Sequence, residues 1–177
     1  IADDTFGWGV VFSDQTLGHF SEADPESQAS ILQSFAHWDD IEIQFRNRTI
    51  RSTGHGFCGI SRLKLLQILQ KRCTDLGVTL EMGHEIKSVS ELDEADLIVA
   101  TDGVNSIIRQ EFSNHFKPEI DVRKNRFIWL GTHKVFDAFS FLFVESEWGW
   151  FQAHAYRFDA NTSTFIVETS QDCWRQA

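Results

Sequence analysis

The sequence predicts a mixed α/β protein of the α+β kind, an α/β segment over residues 1–115 followed by a mostly antiparallel β segment over 116–177. Three observations carry this reading. Leu65, Leu66, Ile68, Leu69 and Leu76 recur at helical spacing after Ser61, so one apolar face can be buried. Ala95–Ala100 is a continuous apolar-rich run, as expected of a strand covered on both faces. After Pro118, runs rich in Phe, Trp, Val and Thr follow one another at 127–135, 139–144, 148–156 and 162–168, which is the composition of a sheet.

Earlier elements follow from local signals. Gly7–Phe12 reads as a glycine-loosened loop running into an apolar stretch, and Asp24–His37 as a helix. Ile41–Phe45 and Arg48–Ser52 read as a hairpin around Asn47 with one wet face. Ser61 is the expected N-cap of the leucine-bearing helix and Gly77 its terminator. Short strands are expected at Val78–Met82 and Glu85–Val89, and a helix over Val104–Phe112.

Composition bounds the function. The formal charge of −10 in 177 residues argues against general nucleic-acid binding, which needs Lys and Arg to neutralise phosphates. Sixteen Phe and six Trp against one Tyr supply core area and also walls for flat ligands. Cys58, Cys73 and Cys173 fit no zinc spacing, which favours a reduced, cytoplasmic protein. No run approaches the ~20 apolar residues of a membrane span, and no signal peptide is evident. The histidines show no metal-ligand spacing, so no metal is expected.

Gly54-His55-Gly56-Phe57-Cys58-Gly59 matches G-x-G-x-x-G literally. A dinucleotide fingerprint should follow a buried parallel strand, yet Arg46–Arg51 before it is basic and alternating, so a turn beside a ligand is the better reading. Arg62, at the start of the next helix, is placed to meet an anion. The most informative passage is Asp96–Arg109, with Asp102-Gly103 at its centre. Asp-Gly is also a favoured hairpin turn, but the residues after it return to helical rather than strand spacing. It therefore reads as a strand delivering a carboxylate and bare backbone to a helix start, where α/β ligands bind. No residue set makes a redox or nucleophilic engine, so no catalytic residue is assigned, and an oxidoreductase built on this chain would need a cofactor.

Gly54–Leu69 and Asp96–Arg109 together resemble the group A flavoprotein monooxygenases of the para-hydroxybenzoate hydroxylase type. Asp3–Asp14, Phe151–Tyr156 and Ser163–Glu168 bring the resemblance to the branch of salicylyl-CoA 5-hydroxylase and anthraniloyl-CoA monooxygenase, near the tryptophan-derived hydroxylase of violacein synthesis. The resemblance implies a Rossmann-like FAD-binding domain and a β-sheet substrate domain. It implies FAD reduced by NAD(P)H, O2 as co-substrate, and hydroxylation of an aromatic ring through a C4a-hydroperoxyflavin. By the same resemblance, Arg62, Asp102, Gly103, Gly9 and Val10 contact the cofactor, and Trp150, Gln152, His154 and Tyr156 the substrate.

The family's first βαβ unit would fall before Ile1 and its later Gly-Asp motif beyond Ala177, so the chain reads as an internal fragment that binds FAD weakly or not at all by itself. The expected substrate is an aromatic acyl-CoA, with Arg123, Lys124, Arg126 and Lys134 as either a local basic patch for its phosphates or ordinary solvated charges. An indole-type aromatic, or a non-catalytic ligand-binding module, stands as the alternative.

Overall fold

The computed structural model describes residues 7–177; residues 1–6, including the start of the Asp3–Asp14 motif, lie outside the described residues. The chain divides into two compact units, one taking it up to Leu80 and again from Lys124, the other Glu81–Arg123.

The first unit holds two sheets. β1 (Gly9–Ser13) leads directly into helix α1 (Asp14–Ala23). The Ser13 side chain accepts from Thr16 N at 3.3 Å, so a serine at the strand's end caps the helix. Pro25 then opens α2 (Pro25–Leu32) at a position where its missing N–H costs nothing. β2 (Ala36–Trp38), the hairpin β3 (Ile41–Phe45) and β4 (Arg48–Ser52), β5 (Phe57–Ser61) and helix α3 (Arg62–Asp75) follow. The hairpin turns through Arg46 and Asn47, both left-handed at φ 46° and 62°, the backbone that matches strand twist in a two-residue loop.

β5 is the middle strand of a three-stranded antiparallel sheet, order β1-β5-β2. Its buried Cys58 and Ile60 pack with Leu17 of α1 and Ile31 of α2, and Phe12, Phe20, Leu65 and Ile68 close over them. Burial pushes the Cys58 thiol up to about 11, so it behaves as a small apolar group. Arg72 of α3 grips Asp24 between α1 and α2 with Nε and Nη2 at 2.9–3.1 Å, and holds that carboxyl below its ordinary range.

The second sheet adds β6 (Asn125–Thr132), β7 (Phe139–Ser146), β8 (Gly149–Arg157) and β9 (Ser163–Ser170), and the short α6 (Gln171–Gln176) closes the chain. Its order is β4-β3-β7-β8-β9-β6, antiparallel throughout except where β3 pairs parallel to β7. All four β runs expected after Pro118 are therefore strands, and the early hairpin joins them.

Several expectations do not hold. The helix expected over 24–37 ends at Leu32 and gives way to β2, and α1 precedes it without having been anticipated. Gly54–Gly59 is not a free turn, because its last three residues enter the buried strand β5. Residues 78–82, 85–89 and 95–100 form no strands. A parallel strand needs hydrogen-bonded neighbours, and no described residue pairs with these. Leu97 and Val99 are instead 80% and 73% exposed.

The second unit is built on capping. A short 3-10 turn, Val89–Leu92, carries a reciprocal capping box between Ser88 and Glu91. Helices α4 (Ile107–Glu111) and α5 (Ser113–Phe116) follow, and Glu111 accepts from Val89 N at 3.2 Å.

Ile31 has no exposed surface. Ile31→Ala is expected to cost about 2–5 kcal/mol, read as a lower urea midpoint with an unchanged slope.

Candidate functional site: an aromatic sheet face

Side chains alternate along a strand, and residues directly opposite across a pair share a face. Trp150, Gln152, His154 and Tyr156 therefore line one face of β8. Register adds Phe143 and Glu168 beside Gln152, and Phe141 and Ile166 beside His154. Ile43 and Phe45 of β3 extend the same face through the parallel pairing to Phe141 and Phe143. The Phe-x-Phe-x-Phe alternation of Phe139, Phe141 and Phe143 was the sequence signal for these partners, which were not singled out from the sequence.

One end of this face is covered by β1. Tyr156 is buried, and its hydroxyl donates to Gly9 O at 2.9 Å. Gly9 N donates to the buried Thr164 Oγ1 at 3.0 Å. A Cβ on Gly9 would lie 2.5 Å from the Phe158 ring, so only glycine allows this approach. Tyr156 also stacks on Trp38, with centroids 6.1 Å apart. Gly9, Val10, Arg62 and Tyr156 thus converge on one seam: Val10 pairs with Ile60, and Arg62 N donates to Trp8 O at 2.9 Å.

The other end is open. Phe45 and Trp150 stack at 5.7 Å and remain about 40% exposed. A groove of about 560 Å³ runs beside them, lined by Phe45, Phe143, Trp150, Gln152, Glu168 and Thr169. Between the ends sits His154, half-buried, 6.2 Å from the Phe139 and Phe141 rings. Its Nδ1 is 3.8 Å from Glu168 Oε1. Burial lowers its pKa, and Glu168 opposes this only in part. The imidazole is therefore neutral near pH 7.

Asp102 and Gly103 lie in the other unit. Asp102 Oδ2 accepts from Ile107 N at 2.8 Å, and hydrogen bonds from the Ser106 hydroxyl and then from backbone amides hold its carboxyl below the ordinary range. The carboxylate thus serves α4, with no strand behind it. Gly103 is left-handed at φ 82°, and a Cβ there would meet nothing within 4 Å. Its backbone stands open beside a cavity of about 470 Å³ lined in part by Ile98, Asp102, Asn105 and Ile108.

The basic patch expected from Arg123, Lys124, Arg126 and Lys134 does not form one cluster. Arg126 opens β6 and donates to Gln171, while Lys134 lies past the strand's end, 4.9 Å over the Phe136 ring. Strand rise carries the chain about 20 Å from Arg126 to Thr132 before Lys134 is reached. Arg123 belongs to the other unit and pairs with Asp121 at 3.0 Å. Among the described residues no group of three or more His, Cys, Asp or Glu could hold a metal, and no helix is long and apolar enough to cross a membrane.

The fold is that of flavin-dependent monooxygenases. The chain superposes on 2-methyl-3-hydroxypyridine-5-carboxylic acid oxygenase with a TM-score of 0.73, over 94% of this chain and 49% of that one, at 20% identity. It superposes on Pseudomonas aeruginosa PqsL, in complex with 2-aminobenzoylacetate, with a TM-score of 0.69 over 99% of this chain and 54% of that one, at 12% identity.

By sequence the chain is a homologue of aromatic monooxygenases over part of their length. It is 42% identical over 175 residues to the salicyloyl-CoA 5-hydroxylase of a Streptomyces species, covering 99% of this chain and 34% of that protein. It is 30% identical over 165 residues to the 3-hydroxy-4-methyl-anthranilyl-[aryl-carrier protein] 5-monooxygenase of Streptosporangium sibiricum, covering 93% and 46%. With the protodeoxyviolaceinate monooxygenase of Chromobacterium violaceum it shares 30% over 179 residues, covering 98% and 47%. The chain thus spans between a third and a half of these relatives. No family model matches it.

Two outcomes are expected here. Tyr156→Phe leaves Gly9 O without its buried donor and lowers stability by about 1–3 kcal/mol, measured by urea unfolding. Because the folded-state pKa of His154 lies below the unfolded value, the unfolded chain takes up the proton first. The stability tied to neutral His154 is then full above about pH 6.5 and falls as pH drops below it. His154→Gln should flatten the fall in urea midpoint between about pH 7 and 5; an unchanged slope would contradict the assignment.

Proposed function

We propose that this chain supplies the ring-holding wall, and part of the FAD-holding framework, of an FAD- and NAD(P)H-dependent monooxygenase that hydroxylates an aromatic acyl-CoA such as salicyloyl-CoA or 2-aminobenzoyl-CoA. The observation that carries this is the half-covered aromatic face of β3, β7, β8 and β9, in a chain 42% identical to a salicyloyl-CoA 5-hydroxylase. Flat ligands are held by such walls, and a few placed polar groups orient them.

Each unit, taken by itself, carries residues that fit part of a flavin dinucleotide. Gly103 offers unobstructed backbone, as a pyrophosphate or ribityl chain requires. Arg62 opens the 14-residue helix α3, where a phosphate is favoured by charge and dipole. Gly9 and Val10 belong to the same seam as Arg62 within the first unit. When bound, FAD supplies the oxygen-activating chemistry, with NAD(P)H as reductant and O2 as co-substrate.

The chain's own side chains position and shelter the ring. Phe141 and Phe143 pack the substrate ring and keep water from it. Gln152 offers an amide to its carbonyl or hydroxyl. Glu168 favours the His154 tautomer with its proton on Nδ1, which leaves Nε2 to accept a phenolic hydrogen. A hydroxyl so held makes the ring electron-rich at the position to be attacked.

The test uses the protein carrying this chain. It should purify with flavin absorbance and, with NADH or NADPH, convert salicyloyl-CoA or 2-aminobenzoyl-CoA to the ring-hydroxylated ester faster than free salicylate or an indole. Absence of bound flavin, or preference for the indole, would contradict the proposal. His154→Gln should retain FAD and lose about tenfold or more in kcat/KM.

A further inference from the structure

We infer that the open end of the aromatic face is a nucleotide subsite, in which Arg46 and Arg48 of the β3–β4 hairpin take the phosphates of the coenzyme A portion and the Phe45–Trp150 stack takes its adenine. This rests on the thioester reading above and deepens it, since it says what distinguishes a CoA ester from a free aromatic acid.

Register supplies the first argument. Arg48 is directly opposite Phe45 across the hairpin, so its side chain lies on the aromatic face itself. Arg46 sits in the turn, with its guanidinium 5.3 Å from the Phe45 ring centroid and 5.8 Å from that of Trp150. The two rings lie nearly parallel, 17° apart, and their exposed surfaces suit a purine as well as they suit a guanidinium. A groove of about 600 Å³ lies among Phe45, Arg46, Arg48, Phe143, Glu145 and Trp150. It shares Phe45, Phe143 and Trp150 with the ring-side groove.

Charge supplies the second argument. The hairpin carries three arginines in a chain of net charge −10. Arg51 is spoken for by Asp40 at 2.6 Å, Asp137 at 3.2 Å and Glu42 at 3.7 Å. Arg46 has one acidic neighbour, Glu145, at 3.4 Å. Arg48 makes no ion pair among the described residues. Two guanidinium groups facing one carboxylate leave net positive charge where phosphates, which arginine binds bidentately, would arrive.

Distance supplies the third. His154, beside the proposed ring position, is four residues from Trp150 along β8. That is about 13 Å, a span for the pantetheine arm that links thioester and nucleotide. Arg126 of β6 stands level with Phe151 through Thr169, so strand alternation turns its side chain to the opposite face of the sheet from Trp150.

The experiment compares parent protein and the Arg46→Ala/Arg48→Ala double variant on salicyloyl-CoA and on salicyloyl-pantetheine, which lacks the nucleotide. Both residues are exposed, so folding and flavin content should not change. The KM for the CoA ester should rise about tenfold or more, as expected for loss of charge-assisted contacts, with kcat and the pantetheine KM unchanged. Equal effects on both esters, or none, would overturn the inference. So would a defect seen only when the aryl group is delivered on a carrier protein. Calorimetric titration with coenzyme A itself separates this from the reaction reading. If neither ester is hydroxylated but coenzyme A binds the parent and about tenfold more weakly the variant, the subsite stands and the reaction does not. If coenzyme A binds both alike, the subsite is wrong.

Discussion

The approach of β1 to the six-stranded sheet decides what the aromatic face can do. At Gly9 three neighbours meet: the Tyr156 hydroxyl on its carbonyl, the Thr164 hydroxyl on its amide, and the Phe158 ring where a side chain would be. Both backbone groups of one residue are therefore satisfied by the opposing sheet rather than by water. β1 also pairs with β5, and β5 carries the buried core against α1 and α2. The seam thereby fixes one end of the face as closed and leaves the other as a groove.

That division explains how one sheet face is apolar and still usable. Contiguous exposed aromatics are a liability in a protein with no ligand for them. Here the rings nearest the seam are buried or half-buried, while Phe45 and Trp150 beyond them are stacked and capped by a guanidinium. His154 lies between the two regimes, where burial keeps it neutral and Glu168 stands 3.8 Å away. A neutral imidazole among phenylalanines can hold a hydroxyl without adding a charge that an apolar site would penalise.

Much of this was legible in the sequence, and the failures share a cause. The strands after Pro118 were clear because Phe, Trp and Val alternate there; β7, β8 and β9 pair with their sequence neighbours, while β6 pairs with β9. The β3–β4 hairpin was clear because Asn47 tolerates left-handed backbone. Trp150, Gln152, His154 and Tyr156 were picked out by resemblance, and the structure puts them on one strand face, with Tyr156 turned to holding β1. By contrast, the strand expected at 96–100 rested on apolarity alone. Composition cannot say whether a partner strand lies beside a run, and here none among the described residues does. β5 was hidden in the opposite way, because the glycines of Gly54–Gly59 suggested a turn, whereas a Cβ on Gly56 would meet Asp14 and one on Gly59 the Arg157 carbonyl. The helix α1 does carry a signal, Ser13 capping Thr16 ahead of Leu17 and Phe20.

If the Gly9 seam governs the face, adding one methyl group there should be felt well beyond its size. Urea unfolding of Gly9→Ala in the protein carrying this chain, alone and combined with Phe158→Leu, measures this. The single variant should lose about 1–3 kcal/mol from overpacking, and shrinking Phe158 should restore part of that loss as a non-additive coupling. A Gly9→Ala variant as stable as the parent, or strictly additive losses in the pair, would contradict the seam's role.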